Sequence, residues 1–119
     1  PVPLQLGAAR GLDALGPEYC AGIAPEYRAK RDRLCEALGR ARLPPYVPDG
    51  SYFALADVSR LPGATGLERA MHLLAEVGVA AVPGEAFYRG ERGHGLARFC
   101  FRKTDEALDE ACRRLEKLA

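Results

Sequence analysis

The chain has 119 residues, of which 17 are basic and 16 acidic, so its formal net charge at pH 7 is +1. This balance argues against nucleic acid and against an anionic membrane surface as dedicated partners, because both bind concentrated positive charge. No run of about 18 apolar residues is present, so no membrane-spanning helix is expected. We also expect no signal peptide, since no basic stretch precedes an apolar run at the N-terminus. The length and the 48% of hydrophobic residues indicate one domain with a core of its own.

The cysteines and histidines do not follow the spacing of a metal site. No C-x-x-C pair occurs, and the two histidines, His72 and His94, are not grouped with any cysteine. We therefore expect no zinc or other metal site. Buried, free thiols in a reducing cytoplasm are predicted for the four cysteines: Cys20, Cys35, Cys100 and Cys112.

The first half of the chain predicts two helices. One helical face over residues 3–15 is formed by Leu4, Ala8, Leu12 and Leu15, and Gly16-Pro17 should end that helix. We expect the second helix to begin at Pro25, a favourable first-turn residue, and to end at Gly39. Residues 44–50 contain three prolines and one glycine and should form a stiff turn without regular structure.

The middle of the chain predicts two strands around a third helix. Residues 51–58, rich in aromatic and small apolar residues, are predicted as a strand. A helix over 67–77 should be stopped by Gly78. Its expected buried stripe consists of four apolar side chains: Leu67, Ala70, Met71 and Leu74. A short strand over 79–82 then leads into a loop at 85–95.

The clearest strand of the chain covers residues 96–102. Its apolar side chains Ala97, Phe99 and Phe101 alternate with Arg98, Cys100 and Arg102. A last helix, 104–118, has Thr104 as its candidate N-cap. Its outer face should carry two i,i+4 ion pairs, Asp109–Arg113 and Glu110–Arg114. The order of elements predicts an α+β fold, a small three-stranded sheet with helices packed on it.

Two features could carry chemistry. Arg98 lies in mid-strand between apolar neighbours, where an unpaired charge is costly, and its planar guanidinium fits a carboxylate. From periodicity alone, a solvated sheet face or an internal acid partner accounts for Arg98 at least as well. The turn at Pro83-Gly84 could bring backbone close to a ligand, with Phe87 and Tyr88 following at once. An ordinary strand-end turn with packed aromatic side chains produces the same pattern.

Four motifs, in order, resemble those of class I and II aminotransferases. Residues 48–53 (PDGSYF) resemble the family's P-x-G-[GAS]-[YF]-F turn and strand, and residues 74–79 (LAEVGV) resemble its helix end before G-V. Residues 82–88 (VPGEAFY) resemble its P-G-x-x-F turn, and residues 96–103 (LARFCFRK) its [IL]-R-[FIL]-[CS]-[FY] strand. The match runs from about Tyr27 to Leu118. The Phe-Cys-Phe sequence at residues 99–101 most resembles that of the kynurenine, glutamine and methionine aminotransferase branch.

The resemblance implies a place and a role for this chain. Residues 17–119 would be the C-terminal small domain of such an enzyme, and residues 1–16 the helix that links it to the large domain. Arg98 stands where the family places its substrate α-carboxylate arginine. Gly84 and Phe87 belong to the segment that closes near the substrate, and Tyr52 to the turn and strand beneath it. The full-length protein would be a cytoplasmic homodimer that uses pyridoxal 5'-phosphate (PLP) to transfer an amino group between an amino acid and a 2-oxo acid.

The lysines depart from the family pattern. None of the three, Lys30, Lys103 and Lys117, lies in a segment like the one that carries the family's Schiff-base lysine. The acid that pairs with the pyridinium nitrogen and the phosphate-binding loop are also missing. We therefore expect this chain alone to be inactive and not to bind PLP, as a piece of a full-length enzyme or a truncated gene product. The alternative is a stand-alone α+β module that binds a small ligand or dimerises.

Overall fold

A four-stranded antiparallel sheet organises the chain, and the computed structural model describes all residues from 1 to 119. The strands are β1 (Pro45–Tyr46), β2 (Phe53–Asp57), β3 (Val82–Pro83) and β4 (Leu96–Cys100), in the order β1-β2-β4-β3. The helices are α1 (Val2–Ala14), α2 (Pro17–Arg40), α3 (Gly66–Val77) and α4 (Asp105–Leu115). Single 3-10 turns cover Gly84–Ala86, Gly90–Gly93 and Glu116–Leu118. None of the helices combines the length and the apolar character needed to cross a membrane.

The predicted α+β class is confirmed, but the predicted three-stranded sheet is wrong because residues 44–50 contain a fourth strand. Pro45 lies opposite Ala56, and Tyr46 lies opposite Leu55. A proline lacks the N–H that a central strand needs, but β1 is an edge strand, so the missing donor need not cost a ladder bond. The turn prediction therefore holds only for the residues that follow Tyr46.

The core lies between one face of the sheet and the helices α2, α3 and α4. The alternation predicted for β4 is confirmed: Ala97, Phe99 and Phe101 are buried, whereas Arg98 and Cys100 are only half-buried. The buried side chains of the sheet join those of the helices in one cluster that includes Leu38 of α2 and Leu108 of α4. Arg98 lies on the opposite face of the sheet.

The second helix is longer than predicted. It begins at Pro17, which occupies the first turn, and continues through Pro25 in its interior. Both prolines suit a first turn, so local preference alone could not tell which one starts the helix. The extension projects beyond the sheet, and residues 17–30 contain no buried side chain. The prediction of buried thiols is therefore wrong for Cys20, which is exposed, while Cys35 and Cys112 are buried and Cys100 is half-buried.

The first helix contributes nothing to the core. None of the residues of α1 is buried, and its apolar side chains Leu4 and Leu12 are exposed to solvent. In a full-length enzyme we expect this stripe to touch the large domain, and in this chain alone we expect it to pack against another copy or to be poorly ordered.

The third helix presents a different face to the core than predicted. Ala70, Leu73 and Val77 are buried, whereas Leu67, Met71 and Leu74 are exposed to 57%, 56% and 43%. Both sets have helical spacing, so periodicity allows either. The predicted stop is confirmed, since Gly78 ends the helix at φ 68° in the left-handed region. At the other end Thr65 and Glu68 form a capping box, which was not predicted.

The last helix is tied to α2 by ion pairs. Thr104 caps it as predicted, since its hydroxyl accepts a hydrogen bond from the amide of Ala107. The predicted Glu110–Arg114 pair forms, at 2.6 Å between Nε and Oε1. The predicted Asp109–Arg113 pair does not, because Asp109 lies 2.7 Å from Arg33 of α2 and Arg113 also binds Glu110. The packing of α4 on α2 therefore redirects one of the two pairs.

Two neighbouring leucines of α3 provide a test of its orientation. Leu73 has no exposed surface, whereas 43% of Leu74 is exposed. Leu73→Ala should lower the free energy of unfolding by about 2–5 kcal/mol because it opens a cavity in the core. The same change at Leu74 should stay within about 0.5 kcal/mol. Urea unfolding of both variants measures the difference, and equal losses would mean that α3 is rotated from the position described.

Candidate functional site

Arg98 lies at the centre of the sheet face that the core leaves open. It stands in mid-β4, opposite Leu55 of β2 and Val82 of β3. Pairing on both sides holds its backbone in one register. Because side chains alternate along a strand, Arg98 points away from the buried Ala97 and Phe99.

Two phenyl rings hold the guanidinium of Arg98. Its central carbon lies 4.9 Å from the ring centroid of Phe53 and 4.8 Å from that of Phe87. Contacts of this kind are worth about 0.5–2 kcal/mol each, depending on how dry the site is. A phenyl ring offers no oxygen or nitrogen acceptor, so these contacts leave the N–H donors of the guanidinium without a hydrogen-bond partner.

No acid of the chain neutralises Arg98. Its guanidinium forms no ion pair and donates no side-chain hydrogen bond, whereas Arg31, Arg33 and Arg40 each pair with a carboxylate. The internal acid partner that periodicity allowed is therefore absent. Arg98 is a half-buried cation with all its donors available to an anion from outside.

Phe53 contacts Arg98 but is not among the candidate site residues predicted from the sequence. The alternation of β2 places it on the same face as Leu55, which lies opposite Arg98. Phe53 itself lies opposite Cys100, so it is a diagonal neighbour of Arg98 and within reach of a long side chain. Its position in the site depends on the register between β2 and β4, which no local pattern reveals.

The remaining predicted site residues surround this centre. Phe87 is 49% exposed and covers Arg98. Tyr52 is also exposed and contacts Phe53 edge to face, with ring centroids 5.5 Å apart. The structure thus brings Arg98, Phe53 and Phe87 together and places Tyr52 at their rim.

Gly84 lies beneath the site and is buried. A Cβ built on it would meet the carbonyl oxygen of Gly93 and lie 2.9 Å from the Cβ of Leu96. Close packing of the turn against residues 93–96 is therefore sufficient to require glycine at this position. The approach of its backbone to a ligand stays a prediction.

Glu85 ties the turn that carries Phe87 to the N-terminus of α3. Its Oε1 accepts a hydrogen bond from the amide of Gly66 at 2.5 Å, and His94 Nε2 lies 3.7 Å from the same oxygen. Burial raises the pKa of Glu85, but the backbone amides of Glu85, Gly66 and Leu67 and the charge of His94 lower it more, so the pKa lies below its usual 4.5. A negative charge at the N-terminus of a helix is favoured by the helix dipole. Sequence analysis missed this contact because Glu85 and Gly66 are 19 positions apart.

The dependence of folding stability on pH tests the contact between Glu85 and the amide of Gly66. Because the pKa of Glu85 is lowered on folding, its contribution to stability is complete above about pH 4.5 and is lost as the pH falls through the folded-state value. Glu85→Gln should lower the melting temperature at neutral pH, and its difference from the wild type should shrink in acid. The control is Glu91→Gln, which alters an exposed residue of the same loop. A constant difference at all pH values would contradict the assignment.

The sequence and the fold match known aminotransferases. The family model described as aminotransferase class I and II matches residues 3–115. The methionine aminotransferase of Escherichia coli is 38% identical over 98% of this chain, and the kynurenine–oxoglutarate transaminase of Dictyostelium discoideum is 32% identical over 99%. A crystal structure of the N-succinyldiaminopimelate aminotransferase of Mycobacterium tuberculosis superposes with a TM-score of 0.81 at 37% identity, over 98% of this chain and 30% of that one. The chain spans 30% of the length of the first of these relatives and 32% of the second.

Proposed function

This chain belongs to the class I and II aminotransferase family, and we propose that residues 17–119 are the C-terminal small domain of an enzyme that transfers an amino group between an amino acid and a 2-oxo acid. Residues 1–16 are then the helix that links this domain to the large one. The exposed apolar face of α1 supports that assignment, because such a stripe is stabilised only when another surface covers it.

The observation that carries the proposal is the free guanidinium of Arg98. We propose that it binds the α-carboxylate that every amino acid and 2-oxo acid substrate shares, whatever its side chain. A guanidinium presents two parallel N–H groups to the two oxygens of a carboxylate. Because the rings of Phe53 and Phe87 both contact it, the guanidinium is held in position before the substrate arrives. One residue can in this way serve both half-reactions.

The aromatic side chains have a second proposed role, the exclusion of water. An ion pair is stronger where water is displaced, because the effective dielectric constant is lower. Phe87 and Tyr52 are exposed in this chain, where they rim Arg98. We propose that they bury its ion pair when the small domain closes on the substrate, with Gly84 allowing the close packing of the turn beneath them.

The residues present do not fit a PLP site. The ammonium group of Lys30 lies 2.7 Å from Glu26 and 2.9 Å from the carbonyl oxygen of Lys103, while Lys103 and Lys117 are exposed. None of them is a buried, unpaired amine of the kind that a Schiff base requires. We propose that PLP, which supplies the electron sink for transamination, is held by other parts of the full-length protein. This chain alone is then inactive.

The oligomeric state, the binding partners and the cellular compartment are proposed on the same basis. We propose that the full-length enzyme is a homodimer, that its partners in binding are its amino acid and 2-oxo acid substrates, and that it works in the cytoplasm. The four free cysteines support the last point, because a reducing compartment keeps thiols unpaired.

Replacement of Arg98 in the full-length enzyme tests the carboxylate assignment. Arg98→Lys keeps the charge but loses the planar fork. Loss of the whole ion pair would cost about 2–5 kcal/mol, or about 30-fold to several thousand-fold in kcat/KM, so Arg98→Lys should still lower kcat/KM, by up to that factor. The loss should be similar for the amino donor and the oxo acid acceptor, measured by steady-state kinetics.

Arg102 is the matched control for that experiment. It lies two residues beyond the end of β4, is exposed and makes no ion pair. Arg102→Lys should therefore leave kcat/KM nearly unchanged. Wild-type kinetics in Arg98→Lys would show that this arginine does not bind the carboxylate.

A titration of the isolated chain with PLP tests whether the cofactor is held by other parts of the full-length protein. Only slow, unspecific lysine adducts that disappear on dialysis are expected, because Lys30 is paired and the other lysines are exposed. The measurement is the absorbance of the adduct before and after dialysis. A stoichiometric adduct that survives dialysis would refute the assignment of the cofactor to other parts of the protein.

A further inference from the structure

The segment that carries Phe87 has no strand partner to hold it. Between the end of β3 at Pro83 and the start of β4 at Leu96, the chain forms only two single 3-10 turns. Phe87 is nevertheless stacked on Arg98 at 4.8 Å. Something other than the sheet must fix the position of its ring.

Within the turn, the amide of Phe87 donates a hydrogen bond to the carbonyl oxygen of Gly84. The side-chain hydrogen bond nearest to Phe87 along the chain is made by the carboxylate of Glu85. It crosses from the turn to the first residue of α3, where Oε1 accepts the hydrogen bond of the Gly66 amide. Its Oε2 is buried and has no hydrogen-bond donor. A Cβ on Gly66 would collide with that oxygen, and a Cβ on Gly93 would lie 2.5 Å from the amide nitrogen of Glu85. Gly66 therefore leaves room for this carboxylate, and Gly93 leaves room for the backbone that carries it.

The N-terminus of α3, to which Glu85 is bound, is itself held in place by hydrogen bonds. The capping box of Thr65 and Glu68 fixes the first turn of α3 around Gly66. Arg69, one turn further, donates hydrogen bonds to the carbonyl oxygens of His94, at 2.6 Å, and Leu61, at 3.3 Å. The other end of the same loop is thus anchored to α3 as well.

We infer that Glu85 is a positioning residue, which holds the turn 84–87 on the N-terminus of α3 and so keeps the ring of Phe87 on the guanidinium of Arg98. Glu85 touches no substrate in this scheme. It acts through Phe87, two residues further along the chain, on the orientation of the carboxylate-binding fork. The inference rests on the proposed function of Arg98.

The test uses the full-length holoenzyme and a pair of substrates that differ only in the group bound by Arg98. These are the amino acid that the enzyme converts best and its α-carboxamide. The ratio of their kcat/KM values reports recognition of the carboxylate alone. A variant that merely destabilises the fold lowers both values and leaves the ratio unchanged.

Glu85→Gln should reduce that ratio by about 5- to 20-fold, mainly through a higher KM for the amino acid. Glu91→Gln, the same change at an exposed position of the same loop, should leave it unchanged. Phe87→Leu should reduce the ratio by a similar factor, and the double variant should lose little more than either single one. Additive losses would mean that Glu85 does not act through Phe87.

The outcomes separate the inference from the proposed function. A normal ratio in Arg98→Lys would refute the carboxylate site, and the role of Glu85 would be refuted with it. A low ratio in Arg98→Lys with a normal ratio in Glu85→Gln would overturn only the positioning role. A normal ratio in Phe87→Leu would overturn it as well, and that variant decides the question if Glu85→Gln does not fold.

Discussion

The contact of the Arg98 guanidinium with the rings of Phe53 and Phe87 is the interaction on which the proposed carboxylate site depends. Arg98 has no acid to neutralise it, so its charge is tolerated in the sheet through contacts with Phe53 and Phe87 and through partial exposure. Rings stabilise a cation without occupying its donors. A salt bridge would hold the side chain equally well but would leave fewer N–H donors free to bind a ligand.

The rest of the fold sets those two rings in place by different means. Phe53 is placed by backbone pairing, since the register of β2 against β4 makes it a diagonal neighbour of Arg98. Phe87 lies in a turn outside the sheet, which Glu85 and Arg69 connect to α3. The core, with α2 and α4 on the other face, keeps β4 rigid beneath both. Phe53 is therefore placed by strand pairing, and Phe87 by hydrogen bonds that connect its turn to α3.

Much of the fold could be predicted because its signals are local. The alternation along β4, the cap at Thr104 and the glycine stop at Gly78 each depend on a few adjacent residues, and the structure has all three. The errors concern choices between equal local signals. Pro17 and Pro25 both suit a helix start, and α3 has two apolar stripes of helical spacing. Packing against the sheet buries Leu73 and leaves Leu74 exposed, which no pattern within the helix decides.

The sequence by itself determined the α+β class, the strand that presents Arg98, and the motifs by which the family is recognised, because each is written in neighbouring residues. Tertiary structure alone decided that β1 joins the sheet, that Phe53 meets Arg98, that Asp109 turns to Arg33, and that Glu85 reaches Gly66. These contacts join residues 9 to 76 positions apart. They form only when strand register and helix packing bring distant segments together, so the physical information that specifies them is the packing of the whole chain.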